Sequence, residues 1–376
     1  MIMENEPHIN IYLRQMLDMG GSDLHLSINF PPKARIHGNI VPLTDEILTP
    51  EYMELLMREI CLPAKRWDMF MERRDLDFAH EIPGVARFRC NFMYNYHGMA
   101  CVLRQIPSKI LTLDELKLPE VLKEICTYKS GLVLVTGPTG SGKSTTLYTA
   151  LKELNKPSVN IITVEDPVES PVKDINQVQV NSQVGLDFSA ALRSILRHDP
   201  DIIFIGEIRD NETAQIAVRS SITGHLVLST LHTNDALSAI MRLCDMGIEK
   251  YLVTSSLSGV VAQRLLKRVC PECSVDHKIT EDESKMTGLP VGTVTKVGRG
   301  CMNCGNTGYS GRIAIYEFVL ITKELRKAIL EGVTMDELYD IAKGQGMISL
   351  KDSCKELLLN GITSCKEAVR VIYAKE

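Results

Sequence analysis

No apolar run in the chain approaches the roughly 18–20 residues that a membrane-spanning helix needs. There is no basic surplus either. The 42 lysines and arginines stand against 47 acids, a net charge of −5, whereas wholesale nucleic-acid binding leaves an excess of base. No stretch interleaves bases with aromatics in the manner of a single-strand binding groove. The opening segment, MIMENEPHINIYL, carries acids where a signal peptide carries bases. Internal repeats and low-complexity segments are absent as well. These absences lead us to expect a cytoplasmic globular protein whose membrane role, if any, runs through a partner.

With 376 residues, 44% of them apolar and 24% charged, the chain suits two domains, with room for a small third element. Eleven cysteines are many for a reducing compartment. Seven (Cys61, Cys90, Cys101, Cys126, Cys244, Cys354 and Cys365) are scattered singly and read as small buried hydrophobes. The other four form two C-x-x-C pairs, Cys270/Cys273 and Cys301/Cys304. A disulfide framework suits them poorly. Four thiolates at this spacing suit a tetrahedral, structural Zn²⁺; a redox pair and an iron–sulfur cluster are the competing readings.

Residues 1–105 mix helical and strand patterns and end in a hairpin. In VARFRCNFMYNYHGMACVLRQI, Phe88, Cys90, Phe92 and Tyr94 alternate with Arg87, Arg89 and Asn91, and Asn95 to Gly98 reads as the turn. Residues 106–113 form a linker, and Thr112 with Glu115 predicts a capping box opening a helix. From residue 114 to 376 short apolar strands (132–136, 160–165, 201–207, 226–232) alternate with helices, the pattern of a mostly parallel sheet. Residues 266–313, rich in Gly, Cys and polar residues, read as an insertion. Residues 320–376 read as a helical tail with capping boxes at Thr334/Glu337 and Ser364/Glu367.

GPTGSGKST (Gly137, Pro138, Thr139, Gly140, Ser141, Gly142, Lys143, Ser144, Thr145) fits G-x-x-x-x-G-K-[ST] between a strand and a helix. Its backbone N–H groups would cradle phosphates, Lys143 would reach the β/γ-phosphates, and Ser144 would hold Mg²⁺. In DIIFIGEIRD a buried strand delivers Glu207 to the sheet's ligand edge, where it would hold Mg²⁺ directly or through water. Gly206 stands where such strands usually place an Asp. In TVEDPVE, Glu165, Asp166 or Glu169 would orient the attacking water. His232, at the C-terminal end of the strand that His225 opens, reads as a γ-phosphate or subunit-interface sensor. Arg209 is a weaker candidate, since Asp210 or Glu212 would pair with it equally well.

Taken together, these four segments resemble the motor ATPases of type II secretion and type IV pili. Their Walker A matches Gly137–Thr145, their aspartate box Thr163–Glu169, their atypical Walker B Gly206–Asp210, and their histidine box Thr223–Ala236. The resemblance spans nearly the whole chain. It implies a PAS-like α+β N-terminal domain, a RecA-like ATPase domain, and a homohexamer with ATP sites between subunits. It also implies that an arginine pair in the hairpin, Arg89 and Arg104, meets the nucleotide phosphates. If the turn closes on Tyr96–His97, these two are cross-strand neighbours, a placement that costs stability without an anion between them.

The tetracysteine and GYSGRIAIYE resemble the secretion and pilus-extension branch. GGSDLHL, PGVARFR and IPSKILTLDEL resemble the retraction branch. His37 stands where the family more often has an acid, and the additional N-terminal docking domain of many secretion ATPases is not expected. The functions implied are ATP-driven pseudopilus or pilus assembly through an inner-membrane platform protein, or pilus retraction. A nucleic-acid translocase and a nucleotide-gated scaffold are the readings from other classes.

Overall fold

A computed structural model describes residues 6–36, 38–106, 110–116, 118, 120–181 and 184–372. His37 and part of the expected linker lie outside these described residues. Two compact units, Met1–Lys109 and Ile110–Glu376, divide the chain.

In the first unit, α1 (Ile9–Asp18), β1 (Gly21–Ser27), β2 (Lys33–Ile36), β3 (Asn39–Pro42), α2 (Pro50–Ile60), α3 (Lys65–Arg73), β4 (Asp75–Ile82), β5 (Ala86–Asn95) and β6 (Gly98–Ile106) follow in order. The strands make one antiparallel sheet in the order β3-β2-β1-β6-β5-β4. Strand alternation sends Leu24, Leu26, Phe88, Cys90, Phe92 and Leu103 into a core closed by Leu13, Met16, Leu56 and Phe70 of the helices. The hairpin turns on Tyr96–His97, with Asn95 opposite Gly98. Gly98, at φ +120°, takes a backbone conformation that L side chains rarely adopt. That register sets the opposite, polar face. Arg89 faces Arg104, Arg104 faces Asp23, and Asp23 faces Arg35, one row across four strands.

The second unit runs α4 (Glu120–Ile125), β7 (Gly131–Thr136), α5 (Lys143–Leu154), β8 (Ile161–Glu165), β9 (Asn176–Gln179), α6 (Phe188–Ile195), β10 (Ile202–Ile205), α7 (Asn211–Ile222), β11 (Leu226–Leu231), α8 (Ala236–Asp245), α9 (Lys250–Ser256) and β12 (Leu257–Val269). Then come β13 (Ser274–Lys278), α10 (Glu281–Thr287), β14 (Val294–Gly298), β15 (Tyr309–Leu320), α11 (Lys323–Glu331), α12 (Met335–Gly344), α13 (Leu350–Leu359) and α14 (Cys365–Ile372). The sheet order is β15-β12-β7-β11-β10-β8-β9. Every neighbouring pair in it is parallel except the edge pair β12–β15.

Its central strands are buried along their length and mostly apolar because both faces are covered, with Thr136, Thr163, Glu165, Ser229 and Thr230 as the buried polar exceptions. Leu132, Leu134, Ile203, Ile205 and Val227 lie in the core with α6 to α9, while Val133, Val135, Ile202, Phe204 and Leu228 pack under α4 and α5. Each such side chain contributes roughly 1.5–3 kcal/mol on burial. An aspartate at Ile203, fully buried, would forfeit that and strand a charge.

The inserted segment is narrower than 266–313, because β12 continues to Val269 and β15 begins at Tyr309, its cross-strand partner. The β13–β14 hairpin and α10 fill the interval, and Ile279 and Leu289 pack with Cys354, Leu358, Cys365 and Ala368 of α13 and α14. Of the scattered cysteines, Cys61, Cys90, Cys101, Cys354 and Cys365 are buried, whereas Cys126 and Cys244 are half-buried.

Two capping expectations need correction. Thr112 and Glu115 do exchange hydrogen bonds, at 2.8 and 3.2 Å, but they close a turn and not a helix. Ser364 accepts from Glu367 N at 3.3 Å, yet the Glu367 carboxylate turns away to Lys267 N and Arg370. Thr334/Glu337 is a complete box. No helix among the described residues is long and apolar enough to cross a membrane.

Candidate functional site

β7 ends at Thr136 and α5 starts at Lys143, so the glycine-rich loop lies at the C-terminal edge of the parallel sheet. Gly137, Gly140 and Gly142 all have positive φ. A Cβ on Gly137 would sit 2.4 Å from Gln263 O, and one on Gly142 would sit 2.7 Å from Gln263 Nε2. Glycine is therefore required by close backbone approach as well as by conformation. Gly140 has open space around it, and Thr139 and Thr145 are exposed. Lys143 is buried and donates to Gly137 O at 2.7 Å and Pro138 O at 3.0 Å. Ser141 Oγ and Thr136 Oγ1 are buried without a hydrogen-bond partner among the described residues. Curled N–H donors, a lysine and an orphaned hydroxyl fit a polyphosphate.

The acids separate into two roles. Exposed Glu169 accepts from Ser144 Oγ at 3.2 Å, which brings it to the phosphate loop. Glu165 is buried beneath α5, where it accepts from Tyr148 Oη, from Thr163 Oγ1 at 2.6 Å and from Gln177 Nε2 at 3.1 Å. Burial, then the Glu165 charge, pushes the Tyr148 hydroxyl well above its usual range, so it remains a donor. Three donors from the protein fix the Glu165 carboxylate in place and occupy most of its acceptor sites. Asp166 lies exposed beside it and acts electrostatically on Arg209.

Just past β10, Glu207 pairs with Arg209, and His232 Nε2 stands 3.8 Å from its other carboxylate oxygen. Neither Asp210 nor Glu212 takes Arg209: Asp210 caps α7 through Thr213 N at 2.8 Å, and Glu212 pairs with Arg193. Thr230 Oγ1 donates to Gly206 O at 2.8 Å and holds the two strand ends together. His225, at the strand's other end, is structural, its Nδ1 being 2.9 Å from Ser220 O. The oxygen donors of Ser144, Glu169 and Glu207 are hard ligands of the kind Mg²⁺ takes.

In the first unit, Arg89 and Arg104 are cross-strand neighbours, but they do not depend on a shared anion. Arg104 Nε donates to Asp23 at 2.6 Å, and Arg89 lies 3.6 Å from Asp77.

Cys270, Cys273, Cys301 and Cys304 bring their sulfurs within 4.8 Å of one another. Three separations are 3.9, 3.9 and 3.7 Å. Tetrahedral ligands about 2.3 Å from Zn²⁺ lie about 3.8 Å apart, so the cluster fits a closed structural zinc site. N–H groups of Cys301 and Gly308 donate to Cys304 Sγ at 3.2 Å, and Gly300 N donates to Cys273 Sγ at 3.3 Å. Such outer donors orient thiolates around a metal.

Sequence reasoning missed three side chains on the β12–β15 pair. Gln263 donates to Ser141 O at 2.9 Å and accepts from Thr146 Oγ1 at 2.7 Å, which fixes the phosphate loop from below. Arg264 reaches Asn234 Oδ1 at 2.8 Å. Buried Glu317 accepts from Ala236 N at 2.9 Å, at the start of α8. No motif marks them; a buried polar residue in an apolar strand is the one signal available.

A phosphate loop on a parallel sheet, with carboxylates and a histidine at the same edge, defines a P-loop ATPase. The family model described as "Type II/IV secretion system protein" matches residues 5–370. The chain is 42% identical to "Type II secretion system protein E" of Dickeya dadantii over 376 residues, 96% of this chain and 74% of that protein. It is 45% identical to "Type IV pilus assembly ATPase PilB" of Myxococcus xanthus over 293 residues, 75% of this chain and 52% of that protein. The crystal structure of the pilus retraction motor PilT with bound ADP matches with TM-score 0.78 and 32% identity, covering 97% of each chain. The chain belongs to the type II/IV secretion system protein family, and it is a motor ATPase of the type II secretion and type IV pilus superfamily.

Proposed function

We propose that the protein is the subunit of a cytoplasmic homohexamer that hydrolyses ATP to drive pseudopilus or pilus assembly through an inner-membrane platform protein. The tetracysteine cluster between β12 and β15 carries the choice of assembly, supported by the likeness to secretion and pilus-assembly ATPases. The loop from Gly137 to Thr145 binds the phosphates, with Lys143 on the β/γ-phosphates. Ser144 and Glu207 hold Mg²⁺, which supplies charge neutralisation at the transferred phosphate. Glu169 orients the attacking water, and His232 reads the γ-phosphate through its link to Glu207. Arg89 and Arg104 neutralise developing charge, a role worth ~10³–10⁵ in rate where arginines act as fingers. Zn²⁺ at Cys270, Cys273, Cys301 and Cys304 orders the inserted segment.

Retraction is the second reading, favoured by the likeness to the retraction motor along 97% of the chain. Deletion in the host separates the two: loss of pili or secretion means assembly, and surplus immotile pili mean retraction. Arg104→Ala tests the arginine role, with nucleotide binding retained and hydrolysis crippled. Unchanged turnover removes it.

A further inference from the structure

The two arginines of the hairpin are anchored differently. Arg89 meets Asp77 at 3.6 Å, and both side chains are about half exposed, 51% and 50%. Exposed pairs of that kind hold geometry weakly. Arg104 meets Asp23 at 2.6 Å through Nε, with the aspartate side chain 5% exposed and the arginine 69% exposed. The acid is thus sunk in the sheet and the cation stands above it.

Asp23 is fixed in turn. Ser22 Oγ donates to its Oδ2 at 2.6 Å, and Arg35 Nε lies 3.9 Å from the same oxygen. Register places Arg35, Asp23 and Arg104 directly opposite one another on three adjacent strands. Burial works to raise the Asp23 pKa, but the hydrogen bonds from Ser22 and Arg104 outweigh it, so the group stays an anion.

A guanidinium offers five N–H groups in a rigid plane. Docking the Nε edge on a buried carboxylate fixes that plane and leaves the Nη groups to bind an oxyanion. Among the described residues, nothing takes those Nη groups. The carboxylate also offsets the repulsion between Arg104 and Arg89, which face each other in the ladder.

We propose that Asp23 is a positioning residue for ATP turnover, presenting the Arg104 guanidinium in the orientation that meets the transferred phosphate. This role rests on the reading, given above, that Arg104 acts on the nucleotide phosphates. Asp23 touches no reacting atom and acts through Arg104 alone.

Steady-state ATP turnover and ADP binding of the full-length chain are measured for Asp23→Asn, Arg104→Ala and the double variant. Asp23→Asn lowers kcat by about 10- to 100-fold, the range that a misplaced catalytic group costs. KM for ATP and Kd for ADP stay within about threefold, because the binding loop is untouched. In the Arg104→Ala background the same substitution lowers kcat by less than about twofold, since interacting residues are not additive. An equal loss in both backgrounds overturns the role, and so does near-normal turnover of Asp23→Asn while Arg104→Ala is crippled. Normal turnover of Arg104→Ala removes the underlying reading, and this role with it.

Should Asp23→Asn fail to fold, Ser22→Ala decides. Loss of one hydrogen bond to the carboxylate lowers kcat by about three- to tenfold. That loss vanishes in the Arg104→Ala background; a loss that persists there overturns the role.

Discussion

Replacing Gln263 with leucine keeps the side chain's bulk but removes its hydrogen bonds to Ser141 O of the phosphate loop and to Thr146 Oγ1 in the first turn of α5. The groups left behind are Ser141 C=O and the Thr146 hydroxyl, on residues only 3% and 2% exposed. Each buried polar group stripped of its partner costs about 1–3 kcal/mol. Leucine recovers part of that through apolar contact, which leaves a net loss of about 2–4 kcal/mol. In a unit of this size each kcal/mol moves Tm by about 2–4 °C, so a fall of roughly 4–16 °C is expected. Scanning calorimetry of wild type and Gln263→Leu reads it directly, and urea denaturation checks that the midpoint moves without a change in slope. Gln263→Glu, which loses the donor and buries a charge, should be at least as destabilised. A fall below about 2 °C for Gln263→Leu would refute the reasoning, because it would mean that the loop stands without this support.

Other outcomes follow from the same geometry. Glu169→Gln should retain ATP binding and hydrolyse it very slowly, read by single-turnover release of phosphate; near-normal turnover moves the water-orienting role to another carboxylate. Elemental analysis should find one zinc per chain, and Cys273→Ser should lose it and open the interval between Val269 and Tyr309 to protease. Asp352 is held down to about 2, first by its bond to Lys343 and then by Ser349. A depressed carboxylate stabilises the fold above its unfolded pKa, near 4, and that contribution disappears as pH falls toward 2. Asp352→Asn should therefore flatten the acid arm of the stability curve between about pH 4 and 2, measured by urea midpoints.

Signals confined to a few neighbouring residues were legible in the chain. The phosphate loop, the four buried strands and the Tyr96–His97 turn each depend on local pattern, and the turn alone placed Arg89 opposite Arg104. What the chain concealed is non-local. Asp23 and Arg104 are 81 residues apart, and Gln263 and Ser141 are 122 apart. A glutamine inside an apolar strand looks the same whether it faces solvent or a loop. Glu165 and Glu169 were equivalent for the same reason, as acids at one strand end. They differ only because Tyr148 and Gln177 close over the first. The Ser364/Glu367 box failed through competition, since β12 offers the Glu367 carboxylate a backbone N–H at 2.9 Å.

Val269 and Tyr309 stand opposite each other where β12 and β15 meet. Everything between them leaves the sheet and re-enters it at a single doorway. A segment attached in this way can be grafted, lengthened or cut back in one genetic event without shifting the register of either strand, since closure cost grows only slowly with loop length. The debt it leaves is small and local: Ile279 and Leu289 cover the apolar faces of α13 and α14, and a shortened chain must supply polar residues there instead. Branches of such a motor family can thus gain or lose a four-cysteine appendage while inheriting the nucleotide machinery intact.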